Sequence, residues 1–263
     1  MKFSSKLVNN PLKQKLKEGK LCVGTWNWSF RDPFMIRLIG ACGFDYVQLD
    51  QEHTPLDMGV LSDMCMIARE TGVSPSVRPN HVNNLSAIGR YMDIGACGVV
   101  VPHISNAEQC QKIVNAMSYF DGGTRGFCNF MVDSAFTMND QEGMKRSDEN
   151  KILVLQFEDP DAVEKADEIL SVPGVDVAII GRGDMANAMG LRGEMNHPLV
   201  NEQCDKVIAA CQRHGVAPGL LVFTPEDAKH WIDRGIRCIT FATEGPLLYN
   251  TYKNALNDIR SLF

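Results

Sequence analysis

Eight short apolar runs rich in Val, Ile and Leu recur along the chain, at 21–26 (LCVGTW), 45–49 (DYVQL), 75–77 (PSV), 97–101 (CGVVV), 152–157 (ILVLQF), 176–180 (DVAII), 218–223 (PGLLVF) and 237–241 (RCITF). Their hydrophobicity is continuous rather than alternating, which marks strands covered on both faces, as in a parallel sheet. Helical spacing lies between them, for example at 33–41, 59–70, 106–117, 161–171, 200–214 and 225–234. Several of these segments follow Asp, Ser or Thr and end near Gly, as capped helices do. The tags ACGFDY, IGACGVV, VPGVDVAI and RGIRCIT share one order: helix end, Gly, buried strand. That is the αβ turn of a barrel or of a doubly wound sheet. Eight strands with eight helical patterns favour a (β/α)8 barrel with right-handed crossovers. An open doubly wound sheet is the competitor, but no G-x-G-x-x-G opens a helix after the first strand, which weakens its dinucleotide-binding form. A length of 263 residues suits one barrel of about 250 residues, so a single domain over 1–263 is expected.

One connection breaks the rhythm. Residues 102–151 hold a helix and then SYFDGGTRGFCNFMVDSAFTMNDQEG, and so long an insertion suggests a loop over the barrel mouth. The last segment, 246–263, reads as a helix with Leu247, Leu248, Tyr252, Leu256, Ile259 and Phe263 on one apolar side, suited to closing the barrel or docking on another subunit.

Charge and cysteine usage exclude some functions. A formal net charge of −6 lacks the positive field that neutralises phosphates, so nucleic acid is not an expected partner. No apolar stretch approaches the ~20 residues of a spanning helix, and MKFSSKLVNNPLKQKLKEGK has no apolar core of a secretory signal. The nine cysteines are odd in number, scattered, and form no C-x-x-C, which removes the usual zinc and redox readings and points to a reduced, cytoplasmic protein.

Barrel chemistry sits at the C-terminal ends of the strands. The residues there are Trp26 after the first strand, Asp50, Glu52 and His53 after the second, Arg78 at the third, Pro102 and His103 after the fourth, Gln156 and Glu158 at the fifth, and Arg182 and Asp184 after the sixth. Glu158 and Asp184 are separated by one βα unit, so they end neighbouring strands ~4.8 Å apart. Two converging carboxylates with no Cys or paired His suit a hard cation such as Mg2+ or Mn2+. The competing reading makes both of them helix N-caps. Asp50 and His53, three apart, make either a carboxylate-oriented general base or a solvated loop histidine. Arg78, in an otherwise apolar strand end, should be buried and paired, either neutralising an acid or holding negative charge that develops on an oxygen. Trp26 and Trp28 read as packing, His103, His197 and His214 as structural, and Arg125 as a turn-stabilising surface residue. No Lys occurs between Lys20 and Lys112, and the later ones lie outside strands, which disfavours Schiff-base chemistry.

Taken in order, LDQEHTPLD, SVRPN, GGTRGF, LQFED and IIGRGDMANAMG resemble the HpcH/HpaI aldolase family of metal-dependent pyruvate aldolases, from about Gly24 to the C-terminus. The resemblance implies a TIM (β/α)8 barrel of the phosphoenolpyruvate/pyruvate type, a homo-oligomer (a hexamer in the family), and a C-terminal helix exchanged between subunits. It further implies a divalent metal (Mg2+ or Mn2+, with Co2+ a further candidate) on Glu158 and Asp184. Pyruvate would chelate that metal, and Arg78 would bond the enolate oxygen. His53, oriented by Asp50, would serve as acid and base. Gln156 and Trp26 would lie beside the keto acid, and backbone N–H groups around Gly181, Gly183 and Asp184 would receive its carboxylate. The implied reaction is reversible cleavage of a 4-hydroxy-2-oxo acid to pyruvate and an aldehyde through a metal-bound enolate. Where the family commonly reads Gly-Pro-x-Asp-Leu, this chain has Gly181-Arg182-Gly183-Asp184-Met185. The alternatives are a related lyase on a CoA thioester, an oxaloacetate decarboxylase-type enzyme, and a non-catalytic keto-acid-binding barrel.

Overall fold

The computed structural model describes residues 9–128, 130–134 and 140–263. Eight parallel strands close into a barrel in sequence order: β1 (Cys22–Asn27), β2 (Tyr46–Asp50), β3 (Ser74–Arg78), β4 (Gly98–Val101), β5 (Ile152–Phe157), β6 (Val177–Ile180), β7 (Ala217–Val222) and β8 (Cys238–Thr243). All eight apolar runs thus become strands, and the barrel rather than the open sheet is the architecture.

The helices are α1 (Pro11–Lys17), α2 (Phe34–Cys42), α3 (Met58–Thr71), α4 (Leu85–Asp93), α5 (Ala107–Met117), α6 (Gln141–Asn150), α7 (Pro160–Glu164), α8 (Ala166–Leu170), α9 (Arg182–Ala188), α10 (Pro198–His214), α11 (Pro225–Asp233) and α12 (Glu244–Arg260). Side-chain caps start several of them. Asp57 accepts the N–H groups of Gly59 and Val60, Asn106 that of Gln109, and Thr224 that of Asp227, each satisfying orphan donors of a first turn. The segment read as one helix over 161–171 is two short ones, because Lys165 leaves helical geometry at φ −101°, ψ 11°.

Strand pleating decides what reaches the mouth. On β2, Val47 and Leu49 pack outward against the helices, which leaves Tyr46, Gln48 and Asp50 inside. The same alternation on β3 turns Ser74, Ser76 and Arg78 inward, and on β5 Ile152, Val154 and Gln156. Lower in the barrel the interior is filled by Tyr46, Val100, Ile152, Val177 and Cys238, with Leu12 of α1 joining from below. The polar members of these inward rows therefore gather at one end.

The described part of the insertion beyond its helix lies at the other end. It follows α5 and precedes β5, so it is a helix-to-strand connection, and such connections return the chain to the N-terminal ends of the strands. Its described part packs there: Arg125 bonds Asp93 at the end of α4 (2.6 Å), Asp133 (2.9 Å) and Ser147 of α6 (2.9 Å). The expected lid over the mouth is thus corrected, although residues 129 and 135–139 of that stretch, like residues 1–8 of the N-terminal segment, lie outside the described residues. Arg125 is corrected with it: the side chain is 1% exposed and stacks on Tyr119, the keystone of a buried charge cluster. All nine cysteines are free. Among the described residues no helix is long and apolar enough to cross a membrane.

Candidate active site

Asp50 and Arg78 end adjacent strands in direct register. Both are buried, and Arg78 Nε donates to Asp50 Oδ1 at 2.7 Å while its Nη1 meets Glu52 Oε2 at 2.9 Å. Beneath the guanidinium lies the Trp26 ring, 4.4 Å from centroid to Cζ, so the arginine is fixed from three sides. Its remaining nitrogen, Nη2, is buried without a partner.

Asp50 does not orient the imidazole of His53. Its carboxylate accepts the backbone N–H groups of Glu52 (3.0 Å) and His53 (3.2 Å), so it shapes the turn that carries His53. The His53 ring itself is exposed, 3.7 Å from Glu52 Oε2, with its plane edge-on to Trp28 at 6.2 Å. The sequence-based pairing is corrected accordingly, because the Asp50 carboxylate is taken up by Arg78 and by the Glu52 and His53 amides of the following turn.

Glu158 continues the inward row of β5. Its Oε1 accepts from Gln156 Nε2 at 3.0 Å and its Oε2 from the backbone N–H of His103 at 2.8 Å. Neither carboxylate is a helix cap: Asp159 caps α7, and Asp184 lies inside the first turn of α9. Burial pushes the Glu158 carboxyl up to about 7; the His103 N–H and the His103 ring oppose this, and the charges of Asp184 and Glu52 add to it. A Cβ on Gly181 would fall 2.5 Å from Glu158 Cγ, so Gly181 makes room for that side chain. Its N–H is engaged by Phe157 O at 3.0 Å, which removes Gly181 as a donor to a carboxylate and corrects that expectation.

Two contributors escape the sequence reading. His103, set aside as structural, joins Glu52 to Glu158, with Nε2 3.1 Å from Glu52 Oε1 and Nδ1 3.2 Å from Glu158 Oε2. Its backbone is left-handed at φ 53°, a conformation costly for a residue with a Cβ and retained where the surroundings impose it. Position just past β4 was the available signal. Glu244, buried at the start of α12, accepts the N–H groups of Trp28 (2.8 Å) and Ser29 and so holds the loop that presents Trp28. Nothing local in the sequence announces a contact across 216 residues.

Trp26, His53, Arg78, Gln156, Glu158, Gly181, Gly183 and Asp184 all line one cavity of about 230 Å³ at the mouth, and Asp50 stands behind Arg78. A larger cavity, about 860 Å³, opens between α5 and α6 at the opposite end, away from these groups. Among the described residues no three of His, Cys, Asp and Glu form a metal cage. The oxygen donors at the mouth nevertheless fit a hard cation: two carboxylates face the same space, and the buried Gln156 Oε1 beside them has no partner.

An eight-stranded barrel with ionisable groups gathered on its C-terminal rim defines a class of enzyme rather than a reaction. The family HpcH/HpaI aldolase/citrate lyase matches residues 26–251, and the chain belongs to it. It is 30% identical over 247 residues to a hydroxypyruvate/pyruvate aldolase of Roseobacter denitrificans (93% of this chain, 95% of the other). It is likewise 30% identical over 229 residues to a 2-dehydro-3,6-dideoxy-6-sulfogluconate aldolase of Pseudomonas putida (87% and 89%). The crystal structure of an HpcH/HpaI aldolase from Desulfitobacterium hafniense superposes with a TM-score of 0.90 at 30% identity, covering 95% of this chain and 96% of that one. The protein is an aldolase, a carbon–carbon lyase.

Proposed function

We propose that the protein, a single barrel domain, reversibly cleaves a 4-hydroxy-2-oxo acid to pyruvate and an aldehyde, with a divalent cation held by Glu158 and Asp184. The observation that carries this reading is the shared cavity of these two carboxylates, with Glu158 raised toward neutrality by burial and, further, by the charges of Asp184 and Glu52. Mg2+, Mn2+ or Co2+ bound there would supply Lewis-acid polarisation of the substrate ketone.

The chain's own groups do the rest. Arg78, immobilised by Asp50, Glu52 and Trp26, presents a guanidinium to the ketone oxygen and stabilises negative charge as it develops. Gln156 orients the keto acid beside Glu158, Trp26 backs the guanidinium, and N–H groups of Gly183 and Asp184 in the first turn of α9 face the carboxylate. His53 accepts the proton of the 4-hydroxyl at a ring nitrogen. The C3–C4 bond then breaks, the aldehyde departs, and the electron pair remains on the three-carbon fragment as its enolate. Return of a proton to C3 yields pyruvate.

The partners are thus a small 2-oxo acid and an aldehyde, and the exposed apolar side of α12 supports assembly with further copies of the chain. The test is retro-aldol cleavage and oxaloacetate decarboxylation with Mg2+ or Mn2+, with and without chelator. Activity should vanish with chelator and in Glu158→Ala; full activity in either case would refute the reading.

A further inference from the structure

Strand order gives the cavity at the mouth two unlike sides. One presents Glu158, Gln156, Asp184 and Arg78; the other is walled by Trp28, Ile179, Met195, Leu221 and Phe223. Its lining contains no Ser, Thr, Tyr, Asn or Lys among the described residues.

Two arginines border it, and both are already ion-paired. Arg78 is held by Asp50 and Glu52. Arg182 reaches across to α11, where its Nη2 bonds Asp227 Oδ2 at 2.6 Å. The same guanidinium bonds Leu221 O at 2.9 Å and Asn196 Oδ1 at 3.0 Å and lies 5.5 Å from the Trp231 ring. Only its buried Nε lacks a partner. The apolar side therefore offers a ligand neither a free cation nor a hydroxyl.

We infer that this side receives the aldehyde and selects an uncharged, apolar one over aldehydes bearing a carboxylate or hydroxyls. The inference rests on the aldolase reading and adds to it the class of acceptor. A carboxylate tail against Leu221, Met195 and Phe223 would lose its water and gain no countercharge. A polyhydroxylated tail would exchange several hydrogen bonds to water for at most one, to the unpartnered indole N–H of Trp28. An alkyl or aryl tail gains from the same burial. The volume, about 230 Å³, is below the roughly 300–1,000 Å³ of sites for drug-sized ligands, so the acceptor is small. In the synthetic direction one bond forms, between pyruvate C3 and the aldehyde carbon. The proton lost from the pyruvate methyl is matched by one gained at the aldehyde oxygen.

The test compares kcat/KM for pyruvate addition to butanal, succinic semialdehyde and glyceraldehyde, using the full chain with Mn2+. Deuterium exchange into the pyruvate methyl, with no aldehyde present, is followed in parallel. Butanal should exceed each of the others at least tenfold. Asp227→Asn, which releases the Arg182 charge, should shift the ratio toward succinic semialdehyde about tenfold while methyl exchange persists, and Met195→Lys, which adds a charge on the apolar side, should shift the ratio the same way. Equal rates, a preference for a charged or hydroxylated aldehyde, or an unmoved ratio in both variants, with exchange intact, would overturn the acceptor assignment and leave the aldolase reading standing. Absence of exchange would overturn both.

Discussion

At Glu158 burial and charge oppose each other. It is 4% exposed, and its carboxyl lies near 7 instead of the usual 4.5. A folded-state value above the unfolded one means that its contribution to stability is present below pH 4.5 and is lost as pH rises through 7. In the metal-free protein this costs on the order of 3 kcal/mol well above pH 7, at about 1.4 kcal/mol per unit. Glu158→Gln should therefore raise the melting temperature of the metal-free protein at pH 8 and leave it nearly unchanged at pH 5, while abolishing activity; melting curves at the two pH values with chelator check this. Gly181→Ala is its steric counterpart. The added methyl would meet Glu158 Cγ at 2.5 Å, so activity should fall at least a hundredfold while circular dichroism shows an intact barrel. Much of this site is legible in the sequence, because Asp50, Arg78 and Gln156 sit at strand ends where pleating alone turns them inward. The position of His103 is legible but its part is not: that depends on a left-handed turn that brings ring and N–H together onto Glu158.

Among the elements, the strands are readable because continuous apolar runs bounded by Gly have few alternatives inside a barrel. Helices with polar or short sequences are harder. The α6 segment QEGMKRSDEN buries only Gly143 and Ser147, and α9 starts at Arg182, so that Asp184 lies inside it and not at its cap. The insertion illustrates a different limit, since the glycines and aromatics of 118–131 say nothing about which end of the barrel they cover, whereas their place after α5 does. Arg125 is the test of that placement. Its ion pairs with Asp93 and Asp133 are buried, and removing one partner of such a cluster strands the others. Arg125→Ala should cost about 3–5 kcal/mol of stability in urea unfolding, with kcat per folded molecule unchanged, because the mouth lies at the other end.

For the whole molecule, two features remain to be joined. The first is α12, whose Leu247, Leu248, Tyr252, Leu256 and Ile259 are all exposed on a single chain, an apolar row of the kind that marks an interaction surface. Changing Tyr252 and Leu256 together to Glu should lower the mass seen by light scattering while the barrel stays folded; an unchanged mass would assign that face another role. The second is the mouth itself, where a carboxylate pair, a clamped arginine and a rim histidine surround one small cavity. The most direct measurement of what they do together is solvent deuterium exchange at the pyruvate methyl, followed by proton NMR with the chain stripped of metal and then supplied with Mn2+ or Mg2+. Exchange should appear only when the cation is added, disappear again with chelator, and be absent in Glu158→Gln at every cation concentration. Exchange at full rate in the stripped protein, or in that variant, would contradict the assignment of the two carboxylates as the cation's holders.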